Sequence, residues 1–232
     1  MPVVTATRIE RRHCVNYFAH GISLLDQPYV LAGAAVPDWL SVADRKVRMR
    51  PRRVEPFLDH RDPIQSAVAA GVTRHHADDG WFHRTRAFYE VSGELTRRIQ
   101  AVLGTGDGFR CSFLGHIIAE LLLDAALIVR RPGQLDTYYS VLRSLDAHAV
   151  QSAVNAMAKQ PTQRLATFID IFLQEEFLRD YLEDDRLLYR LNQVMRRVRL
   201  KPLPADLLRV LCWGRELVGG RVDELLAGGV ID

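Results

Sequence analysis

The chain begins polar, and its first sustained apolar stretch is CVNYFAHGISLLD over 14–26. That stretch is apolar nearly all round except at Asn16, His20 and Ser23, which predicts a buried helix. PYVLAGAAVPDWL follows over 28–40, punctuated by Pro28, Gly33 and Pro37. Residues 45–63, rich in arginine and proline, read as a loop or a broken helix. Helical periodicity runs over 64–76, and Gly80 is expected to open a second helix reaching about Val102. GTGDG at 104–108 reads as a turn, and a long helix then extends to about Arg130. Periodicity resumes over 135–145, 147–158, 162–182, 184–199 and 204–226. No alternating strand pattern persists and no internal repeat is present. The pattern predicts an all-α, single-domain helical bundle. Its parts would be a loose lead-in over 1–13, a core over 14–130 that carries the chemistry, and further helices over 131–232 packed on the same domain.

Composition narrows the class. A chain of 232 residues is long enough for one sizeable core. Its net charge of +3 is too small to argue for nucleic acid. Cys14, Cys111 and Cys212 are widely separated, with no CxxC spacing, so reduced thiols are expected rather than a disulfide framework or a zinc knuckle. The first residues lack the apolar core of a signal peptide. The longest apolar run, 112–129, is interrupted by His116, Glu120 and Asp124, which argues against a bilayer span. A soluble, cytoplasmic protein is the expectation.

Three ionisable residues in that apolar run need partners, because unpaired buried charge is costly. His116, Glu120 and Asp124 follow one another at i, i+4 and i+8, so they share a stripe. The outer two lie about 12 Å apart along the axis, too far for one ion. His116 with Glu120 could meet a metal, leaving Asp124 as a support behind the ligands; a buried hydrogen-bond network is the plainer reading. In GVTRHHADDGWFH, His75 and Asp79 stand one turn apart, and His83 continues their stripe if the helix passes Gly80. One imidazole and one carboxylate a turn apart suit zinc, manganese or iron; the plainer reading is a polar turn. His76 and Asp78 lie on other faces and, with His83, are candidates for moving protons. His20 sits in an apolar helix one turn after Asn16, and Asp38 follows Pro37 among small apolar residues, where an N-cap is the plainer role. No GxSxG, P-loop, Rossmann fingerprint or HExxH occurs. Arg45, Lys46, Arg48, Arg50, Arg52 and Arg53 place six cations in nine residues with no acid among them. Such a run is either a solvated face or a dock for an anionic partner. A second basic cluster is Arg196, Arg197, Arg199 and Lys201.

In order, NYFAH (16–20), GAAVPD (33–38), AAGVTRHHADDGWF (69–82) and FLGHIIAELLLD (113–124) resemble the bacterial acyl carrier protein phosphodiesterases, a divergent branch of the HD-domain phosphohydrolases. The resemblance covers roughly residues 14–130 and implies an all-α, HD-domain-like fold with a divalent metal between helices, typically manganese, with iron or zinc as alternatives. It implies His20, Asp38, His75, Asp79 and His116 as metal-site residues, with Glu120 a further candidate from its spacing. It also implies phosphodiester hydrolysis that releases the phosphopantetheine arm of an acidic carrier protein. The chain departs from the family in placing residues before the Asn16 motif, in having Gly115 where members often have Asp, and in lacking an adjacent His-Asp pair. GAAVPDW and LGHIIAELLLD are also similar, more weakly, to zinc-dependent phospholipase C-like proteins. A non-catalytic helical binding module with a structural polar core is the remaining alternative.

Overall fold

A computed structural model describes residues 17–104 and 108–228. Asn16, the 1–13 lead-in and most of the GTGDG turn lie outside the described residues. The protein is an all-α single-domain bundle, and the described residues contain no strand. Its helices are α1 (Tyr17–Gly21), α2 (Pro28–Ala43), α3 (Pro51–Val54), α4 (Pro63–Phe82), α5 (Arg86–Leu103), α6 (Gly108–Arg130), α7 (Gln134–Arg143), α8 (Ala147–Met157), α9 (Leu165–Glu175), α10 (Asp184–Arg197), α11 (Leu207–Gly220) and α12 (Val222–Leu226). Short 3₁₀ segments follow α1, α3 and α9.

Several boundaries depart from the pattern-based expectation. Helix α1 gives way to 3₁₀ geometry at Ile22–Leu24 instead of running to 26. Pro37 does not end α2; the helix continues through it to Ala43. A proline inside a helix forfeits a backbone bond, and here burial of Leu31, Val36, Trp39 and Leu40 on the same helix outweighs that loss. Asp38 is consequently inside a helix and not at an N-cap. Gly80 does not open a helix either. Asp62 caps α4 by accepting from the N–H groups of Ile64 and Gln65, and the helix passes through Gly80 to Phe82. The next start is set by Thr85, whose hydroxyl accepts from the N–H of Phe88. The expected helix over 162–182 breaks at Glu176, which adopts a left-handed φ of 41°.

Helix α6 is the axis of the bundle, with α5 and α11 along its flanks and α1 across it. The apolar part of Arg110–Arg130 is 72% buried inside the protein, as suits a core helix. An aromatic cluster joins the two halves of the chain. Phe172 of α9 lies 5.1 Å from Tyr17, 5.5 Å from Trp39 and 5.7 Å from Tyr139 between ring centroids. Helices beyond residue 131 thus share one core with the helices that carry the candidate residues.

The crossing of α2 and α4 is unusually close. A Cβ on Gly71 would lie 2.0 Å from the Val30 carbonyl oxygen, and one on Gly33 would lie 2.4 Å from that of Val68. The two backbones touch only because both positions lack a side chain. A third close approach has the same cause: a Cβ on Gly115 would fall 2.2 Å from Thr96 Oγ1 and 2.7 Å from the Ser92 carbonyl, so α5 and α6 require glycine there.

Candidate metal centre

The α2–α4 crossing brings the Ala34 carbonyl within reach of His75. His75 Nδ1 donates to it at 2.9 Å, which fixes the tautomer and turns the Nε2 lone pair toward Asp79, 3.4 Å from Oδ2. Across the same gap, α1 presents His20. Its Nδ1 lies 3.4 Å from Asp78 Oδ2, and Asp78 is held in turn by Arg74 Nε at 2.9 and 3.0 Å. His20 Nε2 is 3.3 Å from Asp79 Oδ1 but is not aligned as a hydrogen bond. Both imidazoles therefore have Nδ1 engaged by an acceptor and Nε2 directed at one carboxylate, the usual way in which outer partners orient metal-ligating histidines. One ligand atom from each of His20, His75 and Asp79 lies within 4.8 Å of the others.

Asp38 is buried beside this group, and its Oδ2 has no hydrogen-bond partner among the described residues. Burial, then the negative charge of Asp79, holds its carboxyl well above the ordinary range. Burial works against a charged His20, but hydrogen bonding to Asp78 and Asp79 overrides it and lifts the imidazole to about 10. The opposing environment of His75, burial followed by the charge on His20, lowers its value. Burial would raise Asp79, yet the two histidines pull it below the usual carboxylate range.

A second group continues the stripe on α4 one turn further on. His83 Nε2 is 2.6 Å and His116 Nε2 is 3.1 Å from Glu120 Oε1, and the two rings are 4.6 Å apart. Burial pushes Glu120 up, but His116 and His83 outweigh it and hold the acid at about 2. Asp38 feels the charge of Glu120, so the two groups are electrostatic neighbours. Exposure decides where the site opens. His20 and His75 are 4% and 3% exposed at the side chain, whereas Asp79, His83 and His116 are 25%, 26% and 29% exposed. The floor is sealed and the mouth lies between α4 and α6.

The remaining candidates are placed differently. Asp124 accepts from the N–H groups of Phe18 and Ala19 at 3.0 and 2.8 Å, anchoring the turn that presents His20. Burial lifts its pKa to about 7 against those two bonds. His76 turns away from the groups above, and its Nε2 donates to the Met49 carbonyl at 2.8 Å. Asp78 is buried and committed to Arg74 and His20. Neither has the free geometry of a proton carrier. Arg45, Lys46, Arg48, Arg50, Arg52 and Arg53 are all exposed, while Val47, Met49 and Val54 between them are buried. The His76–Met49 bond staples this basic segment to α4 beside His75. Nothing in the sequence singles out Arg74, the Ala34 carbonyl or the Gly33–Gly71 contact. The only available signal was the coincidence of small residues, GAA at 33–35 and AAG at 69–71, in two apolar helices.

Two imidazoles and one or two carboxylates form a donor set suited to zinc, manganese or iron. The unaligned His20 Nε2 fits a divalent cation held with His75 and Asp79, which would satisfy it; buried Asp38 lies outside the group whose ligand atoms meet. No family model, curated protein or solved structure matches this chain.

Proposed function

We propose that the chain is a divalent-metal-dependent phosphodiester hydrolase, in the manner of the acyl carrier protein phosphodiesterases that its motifs resemble. Manganese is the expected ion, with iron or zinc as alternatives. The observation that carries this reading is the pair of histidines, His20 and His75, each anchored through Nδ1 and each turning Nε2 to Asp79 beside buried Asp38. His20, His75 and Asp79 would hold one ion, with Asp38 outside their group of ligand atoms, and His116 with Glu120 could supply ligands to a second. A divalent ion in such a site supplies a Lewis acid that activates water and neutralises phosphate oxygens. The protein's own residues do the rest. Ala34 and Asp78 keep the imidazoles in register. Asp124 holds α1 against α6. His83, at the mouth and hydrogen-bonded to Glu120, would pass a proton to a departing alkoxide. The exposed arginines of 45–53, stapled next to His75, would dock an acidic carrier protein.

Elemental analysis of the purified full chain, followed by hydrolysis of bis(p-nitrophenyl) phosphate with added Mn²⁺, tests the proposal. Near-stoichiometric metal and Mn²⁺-dependent turnover are expected, with H116A inactive and its helical signal unchanged. Protein that takes up no divalent metal, and whose melting temperature ignores chelator, would sink the reading and leave a structural polar core.

A further inference from the structure

The polar stripe of α4 serves two groups. His75 and Asp79 face His20, whereas His83, one turn further on, faces α6. His83 is the C-cap residue of α4, and His116 and Glu120 stand one turn apart on α6. Both imidazole Nε2 atoms converge on Glu120 Oε1, at 2.6 and 3.1 Å, and Glu120 is buried. One ligand atom from each of the three lies within 4.8 Å of the others. Phe88 of α5 closes the group from the side: its ring is 5.0 Å from His83 and 4.9 Å from His116, and Phe82 backs it at 4.7 Å. Two imidazoles and a carboxylate thus meet in an aromatic pocket, with both histidines part-exposed at its rim.

The ligand atoms of a four-coordinate zinc ion lie about 3.4 Å apart, each being about 2.1 Å from the metal. The two nitrogen-to-oxygen distances here need to open by less than about 1 Å to reach that spacing. Two histidines and a glutamate with an open fourth position form a zinc donor set, and zinc outranks manganese on such ligands. Apolar walls that limit water favour it further over a six-coordinate manganese shell. No residue belongs to both groups. A turn of helix, about 6 Å, separates Asp79 from His83. Ions that share a bridging oxygen sit only about 3.5–4 Å apart. The second group is therefore a site of its own and not half of a bridged pair.

We infer that His83, His116 and Glu120 form a second, zinc-selective site, and that zinc bound there switches hydrolysis off. The switch rests on the hydrolase reading above, in which His83 passes a proton to the leaving group; the zinc site itself does not. An imidazole held by zinc through Nε2 cannot take the second proton that makes it an acid. Filling the site leaves the first ion in place and removes the proton donor.

Zinc is titrated into the chelator-treated full-length protein, and the ions retained after desalting are counted by elemental analysis. The parent should hold two. H83A and E120Q should each keep one and bind the other at least roughly 10–100-fold more weakly, since losing a ligand costs no less than losing a group that orients one. D79N should lose the other ion, so that D79N combined with H83A holds none. Glu120 is buried, and H83A, at the rim, carries the test should E120Q fail to fold. Two ions in folded H83A, or a single ion in the parent that survives H83A and is lost in D79N, overturns the zinc site. A single ion lost in H83A and kept in D79N supports it and sinks the first centre instead. No zinc in the parent overturns both. The switch is read on bis(p-nitrophenyl) phosphate in saturating Mn²⁺. Added zinc should lower turnover about a hundredfold, the lower end of what a general acid contributes, and further Mn²⁺ should not restore it. Full turnover with the second site filled, or recovery on adding Mn²⁺, overturns the switch. A parent without Mn²⁺-dependent turnover overturns the hydrolase reading and the switch together, and the zinc count then stands alone.

Discussion

Gly71→Ala offers the sharpest test of how the fold makes the site. The new methyl would lie 2.0 Å from the Val30 carbonyl oxygen, 2.6 Å from Ala34 N and 2.7 Å from Gly33 Cα. All three are backbone atoms, so no side chain can swing aside. Restoring an ordinary 3.4 Å contact requires α2 and α4 to part by roughly 1 to 1.5 Å. The His75 Nδ1 to Ala34 bond, now 2.9 Å, then passes beyond hydrogen-bonding range. Overpacking of this kind costs about 1–3 kcal/mol, and the lost buried bond adds about 1 kcal/mol. At roughly 2–4 °C per kcal/mol for a chain of this size, the melting temperature should fall by about 5–15 °C. Divalent-metal affinity should fall roughly 10–100-fold as His75 loses its orienting partner. Circular-dichroism melts and Mn²⁺ titrations of folded protein at low temperature measure the two effects separately. A variant that melts within about 2 °C of the parent and binds Mn²⁺ equally would refute the claim that the glycine contact positions His75. Gly33→Ala presses on the same crossing, so the double variant should lose less than the sum of the singles.

The other predictions concern the ion, the protons and the basic segment. Mn²⁺ at about a hundred times its dissociation constant should stabilise the parent by about 2.7 kcal/mol, and H75A or D79N should abolish that gain in melts with and without chelator. His20 in the metal-free protein is lifted to about 10 from an ordinary 6.5. Its charged form therefore stabilises the fold fully below about pH 6.5. That contribution is lost as pH rises through 10. Mn²⁺ must displace this proton at neutral pH, so calorimetry in buffers of different ionisation enthalpy should detect about one proton released per ion; none released would exclude His20 as a ligand. H76A should free the segment around Met49 while leaving Mn²⁺ affinity within a few-fold, because His76 is engaged with a carbonyl and not with the ligands. Changing Arg45, Arg48, Arg50 and Arg52 to Gln should slow cleavage of an acidic carrier protein, less so at high salt. Small diesters should be cleaved at nearly the parental rate, and equal losses on both substrates would make the run a structural element.

The all-α class and the long elements are legible because helical periodicity survives over α4, α6 and α10. The same periodicity puts His75, Asp79 and His83 on one stripe, and polar residues in otherwise apolar helices single out His20, His116, Glu120 and Asp124. What escapes the pattern is whatever depends on a neighbouring backbone. Pro37 argues locally for a break, and only burial of the surrounding apolar residues shows that α2 continues and takes Asp38 into the interior. Carbonyl groups have no letter in a sequence, so neither Ala34 as the anchor of His75 nor Met49 as the partner of His76 can be read there. His75 and His76 are identical and adjacent, yet one faces Asp79 and the other holds a loop.

The same argument applies to the basic residues. Arg196, Arg197 and Arg199 look interchangeable as letters, and helical spacing alone places them on a charged end of α10. Packing separates them: the aromatic cluster of Tyr17, Phe172 and Phe177 draws α1 toward the C-terminal helices, and Arg197 is half-buried where Arg196 and Arg199 stay exposed. The helices beyond residue 131 are therefore more than a support for a site built by residues 17–124. They complete the surroundings of Tyr17, three residues before His20 in the same helix. By packing Phe172 and Phe177 on Tyr17, the second half of the chain fixes the short helix that presents His20, and so ties itself to the group of residues built by the first half.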